Sequence, residues 1–339
     1  MRVALVVNAH ARKFVARPAR IDAVRALARG RASVHVTRSR AELEAAAVAM
    51  HAEGADVVLL CGGDGSYGAG ATAIARAWGG APLPILGLAP GGTVGTVARS
   101  LGVAPATRTF DGTVEGIDRV LDRALGSGAV LETATLRVAA DQLPSRLGFI
   151  FGTGLVASFF RRYDPRLDDE APSVGTGLPG AAAIVARVFV ESFWGGAYAR
   201  SVLDPLRCDV DVERGDPGKT SVERLPWAAS SLVVASVLRD LGLGMRVTHR
   251  AGERADRLHV VVSGLPPRQL GPRMPRVLRG RSIGDPGEPH FDDLVAAMTV
   301  EFPERAGPFV LDGDVHHARR VGVALGPSLR ILAPTPRDP

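Results

Sequence analysis

Three short glycine clusters, two of them with carboxylates, could do chemistry in this 339-residue chain. The first is Gly62-Gly63-Asp64-Gly65-Ser66, directly after the apolar run Val57–Leu60. Glycines let backbone N–H groups crowd a phosphate, and the start of a following helix favours negative charge. A carboxylate in such a cradle repels a bare phosphate. Asp64 therefore points either to a divalent cation beside it or to a substrate hydroxyl whose proton it accepts. The plainer alternative is a glycine turn in which Asp64 caps the helix. Pro90-Gly91-Gly92-Thr93 repeats the arrangement after the next apolar run, and its plain alternative is a strand-to-helix connection. Two such loops on one sheet edge favour a nucleotide site more than either does alone. The third cluster, Leu311-Asp312-Gly313-Asp314, could hold a metal or supply a base. Taken by itself it reads better as a hairpin turn, because Asp-Gly is a strong hairpin signal.

Other motifs carry less. Gly218-Lys219-Thr220 lacks the glycine that a P-loop needs five residues before Gly218, where Glu213 stands. His316 and His317 have no partners at ligand spacing and read as surface residues. Phe159-Phe160-Arg161-Arg162 pairs aromatics with cations, which suits either a lipid contact or a half-buried helix face. Cys61 and Cys208 form no metal or redox pattern, and Cys61 reads as a small buried hydrophobe.

The elements that must position these clusters differ between the two halves. Strand-like runs at 3–7, 33–36, 56–60 and 84–88 alternate with helical stretches at 19–29, 39–53, 66–78 and 94–101. That alternation predicts a parallel, Rossmann-like α/β sheet with helices on its faces. Its ligand would lie beyond the carboxyl ends of the strands, where both glycine loops fall. After a further helix over 112–125 and the Gly126-Ser127-Gly128 break, strands predominate: 130–140, 147–154, 208–213, 230–237, 258–264, 298–302, 308–314 and 329–334. This half reads as a mostly antiparallel β-sandwich, apart from 155–195, which holds a helix over 180–193, and 266–296. The expected division is a nucleotide-binding domain over 1–128 and a β-rich domain over 129–339, with the last strand returning to the first domain as an option.

Composition sets the frame. Apolar residues make up 46% and charged residues 22%, as in an ordinary globular protein. The formal net charge is +6, with lysine only at Lys13 and Lys219. An arginine-rich basic surface favours anionic partners: nucleotides, lipid headgroups or nucleic acid. No run reaches the roughly 20 uncharged apolar residues of a membrane span. The nearest, 178–197, is interrupted by Arg187 and Glu191. A cytoplasmic protein, touching at most the inner membrane surface, is the expectation.

Taken in order, strand–GGDGS–helix, then LGLAPGGTVGTVAR, then a β-rich half ending in DGD, the chain resembles the diacylglycerol kinase and sphingosine kinase superfamily, its soluble bacterial lipid kinases in particular. Asn8 stands where that family's first-loop asparagine meets ATP, and Thr37 where its threonine ends the second strand. Gly62, Gly63, Asp64, Gly65 and Ser66 match the diglycine-aspartate loop. Gly91, Gly92 and Thr93, followed by Ala98 and Arg99, match the second glycine loop. Asp256 and Leu258 fall in the Asp-Gly-x-Leu region. Asp312, Gly313 and Asp314 match a terminal Asp-Gly-Glu.

The resemblance implies a lipid kinase that binds ATP and Mg²⁺ between two domains and phosphorylates a lipid hydroxyl. Asp64 would hold the metal or the hydroxyl. Asp314 would be the base, supported by Asp312. A lipid at the membrane surface is the implied partner and nucleic acid is not, while a homodimer stays open. The sequence departs from the family at Gly68 and Ala69, where an Asn-Glu pair is usual, at Gly95, where Asn is usual, and in the first loop, NAHARK. An NAD kinase-like enzyme and an inactive lipid- or nucleotide-binding module are the alternatives.

Overall fold

The structure is a computed structural model that describes residues 1–92, 95–104, 112–126, 128–163, 178–215 and 220–334. It divides into two compact units, Met1–Ala134 with Ser328–Pro339, and Thr135–Pro327.

The first unit alternates as its hydrophobic pattern dictates. β1 (Val3–Asn8) is followed by α1 (Arg12–Ala16), α2 (Ala19–Ala28), β2 (Ser33–Thr37), α3 (Arg40–Ala52), β3 (Val57–Gly62), α4 (Asp64–Trp78), β4 (Ile85–Pro90), α5 (Thr96–Ser100), α6 (Thr113–Leu125) and β5 (Ala129–Thr133). β1 and β3 are buried along nearly their whole length, which matches their continuous apolar runs. Ser39 caps α3 by accepting the Glu42 N–H at 3.1 Å, and the Glu42 carboxylate answers by accepting the Arg38 N–H at 2.7 Å. The sheet order is β2-β1-β3-β4-β20-β5, where β20 (Leu329–Ala333) comes from the far end of the chain. β20 runs parallel to β4 and antiparallel to β5.

The 130–140 stretch was expected to be one strand of the β-rich half. It is two strands instead. β5 closes the first sheet, and β6 (Leu136–Ala140) opens the second unit. The break falls at Thr135, whose hydroxyl donates to the Pro327 carbonyl (2.7 Å) and whose carbonyl accepts the Gly326 N–H (2.8 Å). An unbroken β-forming composition hides such a break.

The second unit continues with β7 (Leu143–Gly148), β8 (Ile150–Gly154), α7 (Leu155–Tyr163), α8 (Leu178–Ser192), α9 (Ala197–Leu203), β9 (Leu206–Arg207), β10 (Asp209–Arg214), β11 (Ser221–Arg224), β12 (Ala229–Ser230), β13 (Leu232–Ser236), β14 (Leu258–Ser263), α10 (Pro267–Leu270), α11 (Met274–Leu278), β15 (His290–Val295), β16 (Ala297–Glu301), β17 (Gly307–Leu311), β18 (Asp314–Ala318) and β19 (Arg320–Leu325). Two six-stranded sheets, β11-β10-β16-β19-β6-β7 and β15-β14-β13-β8-β17-β18, are antiparallel throughout their pairings. Their inner faces share one core that includes Val138, Val210, Met298 and Val321 from one sheet and Phe151, Val233, Val260 and Phe309 from the other. The expected sandwich is therefore present. The outer face of the second sheet packs a separate cluster with α8 and α9, including Ile184, Val188, Val202, Leu232, Val234 and Val261.

Candidate active site

The carboxyl edge of the first sheet brings the two glycine loops together. β3 and β4 are parallel with Gly62 beside Pro90, so the chain leaves both strands at one level. The Gly92 N–H donates to the Gly62 carbonyl at 2.8 Å, and the Lys13 N–H to the Gly91 carbonyl at 3.1 Å. The two backbones then touch. A Cβ on Gly92 would stand 2.4 Å from Gly63 Cα, and one on Gly91 would stand 2.9 Å from Gly62 Cα and from the Phe14 ring. A side chain at either position has no room, so Gly91 and Gly92 are fixed first by loop-to-loop contact.

Helix α4 begins at Asp64, two residues before the start read from the sequence, with Gly63 as its cap residue. Its first intrahelical bond is Tyr67 N–H to the Gly63 carbonyl at 3.0 Å. The N–H groups of Asp64, Gly65 and Ser66 thus have no carbonyl one turn back to bond. Ser66 Oγ accepts the Gly63 N–H (3.3 Å) and the Asn8 amide (2.9 Å), while Asn8 Oδ1 accepts the His10 N–H (2.9 Å). Asn8 therefore ties the end of β1 to the start of α4. Thr37 is buried beside Asn8 in the β1–β2 register, and its carbonyl accepts the Ala9 N–H at 2.9 Å. Thr93 lies outside the described residues.

Asp64 caps a helix, but not its own. Its Oδ2 accepts the Thr96 N–H and its Oδ1 the Val97 N–H, each at 2.9 Å, across the start of α5. Burial pushes the carboxyl above its ordinary range, opposed by the Val97 and Thr96 N–H bonds and by the charge of Arg99. α5 is entered through Gly95 at φ +63°, with open space where a Cβ would stand. The sequence reading missed this link because Asp64 and Thr96 lie 32 residues apart with no local spacing rule to join them.

The third cluster lies in the second unit. Asp312 and Gly313, at φ +50° and +95°, form the two-residue turn between β17 and β18, with Leu311 paired to Asp314. Asp312 is only 6% exposed, and its carboxylate accepts the Phe149 and Ile150 N–H groups, both at 2.9 Å. Gly148 passes against it, where a Cβ would stand 2.8 Å from Asp312 Oδ2. Asp314, at the start of β18, is exposed. Asp256, also exposed, accepts both Nε and a terminal nitrogen of Arg254, at 3.0 and 2.8 Å. His317 is exposed as expected, but His316 is half-buried, its ring 5.3 Å from that of Phe309 and hydrogen-bonded to Arg146. Phe159 joins the α8–α9 cluster, and Phe160 lies over Gly313.

Residues 2–126 match the family profile of the diacylglycerol kinase catalytic domain, and the superfamily resemblance holds. Over nearly the whole chain the fold is similar to a crystal structure of a diacylglycerol kinase from Bacillus anthracis. The identity is 13%, coverage is 99% of this chain and 97% of that one, and the TM-score is 0.59. An NAD kinase from Archaeoglobus fulgidus in complex with ATP is more distant, with 14% identity, coverage of 98% and 93%, and a TM-score of 0.43. No curated protein matches the sequence.

Proposed function

We propose that the protein is an ATP-dependent lipid kinase that transfers the γ-phosphoryl group to a lipid hydroxyl. The observation that carries this reading is the meeting of the two glycine loops at the start of α4, inside a diacylglycerol kinase catalytic domain. The residues fit a nucleotide phosphate. The first-turn N–H groups of α4 lack intrahelical partners, and an anion is their natural acceptor.

Asp64 is the sole carboxylate of the two loops. Both of its oxygens already accept backbone N–H groups, yet each keeps a second lone pair. Through these it would hold Mg²⁺ or the substrate hydroxyl, while its first lone pairs keep α5 in place. Bound Mg²⁺ would neutralise phosphate charge during transfer. Asp314 is the proposed base for the hydroxyl proton. Asp312 positions the turn that carries it.

The lipid acceptor is favoured by the exposed side of α8. Ala182, Ala183, Ala186 and Val190 are exposed, and Phe193 and Trp194 follow at 55% and 59% exposure. Arg187 lies among them, over the Tyr198 ring at 4.0 Å. Large apolar groups beside an arginine suit the boundary of an anionic bilayer. Among the described residues no helix is long and apolar enough to cross a membrane.

The test is transfer of labelled phosphate from ATP with Mg²⁺ to a panel of diacylglycerol, sphingoid and ceramide acceptors, with NAD as the soluble control. Transfer to a lipid and not to NAD is expected. Transfer to NAD alone would replace the reading with that of a soluble-substrate kinase.

A further inference from the structure

At the opposite edge from the β17–β18 turn, the outer face of the second unit's β15-β14-β13-β8-β17-β18 sheet carries a group of polar side chains that the kinase reading does not use. On β14 and β15, His259 pairs with Leu294, Val261 with Asp292 and Ser263 with His290, so His259, Asp292 and His290 share one face. Alternate residues Leu258, Val260, Val262, Phe291 and Val295 fill the sandwich core. A half-buried His249 reaches the same place from the segment 237–257, which joins β13 to β14. One ligand atom each from His249, His259 and Asp292 lies within 4.8 Å of the others.

The burial of this group is unusual. The His259 side chain is 0% exposed and that of Asp292 9%. Asp292 Oδ1 accepts His259 Nε2 at 2.7 Å. Asp292 Oδ2 is buried with no hydrogen-bond partner; His290 Nε2 stands 3.7 Å from it, beyond hydrogen-bond reach, and is bonded instead to Ser282 Oγ at 2.9 Å. His290 Nδ1 is also buried without a partner. An ionised oxygen left unsatisfied in the interior is costly, and a cation removes that cost.

We propose that His249, His259 and Asp292 form a site for a divalent transition metal, with zinc as its ion. Two imidazoles and a carboxylate select ions of the zinc, iron and cobalt type over Mg²⁺ or Ca²⁺, which prefer all-oxygen shells. Zinc bonds of about 2.0–2.2 Å place neighbouring ligand atoms a little over 3 Å apart, so small side-chain rotations suffice. The ion replaces the proton that now bridges His259 Nε2 and Asp292, and that proton moves to His259 Nδ1, so the imidazole stays neutral. His259 Nδ1 then becomes the protonated nitrogen, and the long 3.3 Å contact it accepts from the Arg250 N–H is given up. The open side of His249 provides the way in and room for water as the fourth ligand.

The site is already assembled. Thr248 Oγ1 donates to the Leu238 carbonyl (2.7 Å), Arg239 Nε to the Ala251 carbonyl (2.9 Å), and Arg250 bonds Asp293 (3.0 Å), which holds His249 over the sheet. Zinc would fasten this long irregular connection to β14 and β15, adding a cross-link where a loop of such length has few regular contacts.

The test uses the full chain stripped of metal by a chelator, then titrated with zinc by calorimetry and with cobalt by visible absorption. One zinc per chain is expected, with a raised melting temperature and an intense cobalt spectrum of four-coordinate type. His249→Ala and Asp292→Asn should each weaken binding at least about tenfold, the loss that even an outer-shell partner causes. A control carrying His51→Ala and His317→Ala, at two histidines outside the site, should bind as the parent does. No zinc uptake by the parent chain overturns the site, as does equal uptake by the two ligand variants, or loss of uptake in the control. If either ligand variant fails to fold, the parent cobalt spectrum decides: a weak, six-coordinate spectrum overturns the site.

Discussion

Asp64 sits where the proposed catalysis and the structure would compete for one carboxylate. The bonds to Thr96 and Val97 mean that an amide at position 64 can satisfy only one of the two donors through an oxygen. Asp64→Asn should therefore reduce phosphoryl transfer by far more than tenfold, a ratio worth about 1.4 kcal/mol. It should also lower stability by about 1–3 kcal/mol, the cost of a buried donor left unpaired. Urea unfolding measured beside activity checks both, and an unchanged midpoint would remove the capping role. The sign of the pH effect follows from the raised carboxyl. Between the ordinary Asp value, about 3.9, and the raised one, the folded state holds a proton that the unfolded state releases. Stability falls as pH rises through that window, and the ionised form that the proposed Mg²⁺ contact would require is gained in the same window. The acid limb of the rate profile should lie above about 3.9. The cysteines give an independent check of burial. It pushes the Cys61 thiol up to about 12 and the Cys208 thiol up to about 11. Neither should react with a thiol reagent at pH 8 in the native state, and both should react in denaturant.

The glycine loops show how an element can be over-determined. Gly92→Ala puts a methyl 2.4 Å from Gly63 Cα, where no flexible side chain can yield, and overpacking of this kind costs about 1–3 kcal/mol. ATP binding and stability should fall together. In Gly95→Asn the new Cβ meets no atom within 4 Å, and Asn is among the residues that tolerate positive φ. It should leave the urea midpoint within about 0.5 kcal/mol, the usual range of an uncrowded surface change. In the other unit, Asp312→Ala removes the acceptor of two backbone N–H groups at a positive-φ turn and should destabilise strongly, while Asp314→Asn, exposed, should not. If Asp314 is the base, that variant lowers kcat more than it raises the KM for ATP.

At the scale of the whole molecule, the alternating first unit and the sandwich were legible because their periods are strong: continuous apolar strands such as Val57–Leu60 in one, short β runs in the other. The meeting of Gly62-Gly63 with Gly91-Gly92 was legible as well, since adjacent parallel strands end together. What the sequence hid was non-local or ambiguous. No spacing joins Asp64 to Thr96, nothing marks Thr135 as a break between units, and β15 and β18 carry charged or histidine residues that weaken their alternation. Asp312-Gly313 satisfied two readings at once, and its turn geometry answers the plainer one. The exposed Val190, Phe193 and Trp194 beside Arg187 lead to a molecular prediction. The protein should sediment with anionic vesicles, less so as salt rises, because such attraction is screened over about 10 Å at 0.1 M. Phe193→Ser with Trp194→Ser should reduce the binding, and equal binding to neutral vesicles at every salt concentration would contradict the electrostatic part.

The most direct measurement is labelled phosphate transfer from ATP with Mg²⁺ to diacylglycerol and sphingoid acceptors in mixed micelles, comparing the parent chain with Asp64→Asn and with an NAD control. Lipid phosphorylation by the parent, lost in the variant and absent with NAD, is the predicted result. A folded parent that phosphorylates no lipid, or a variant that keeps more than about a tenth of the parent rate, a difference under 1.4 kcal/mol, would contradict it.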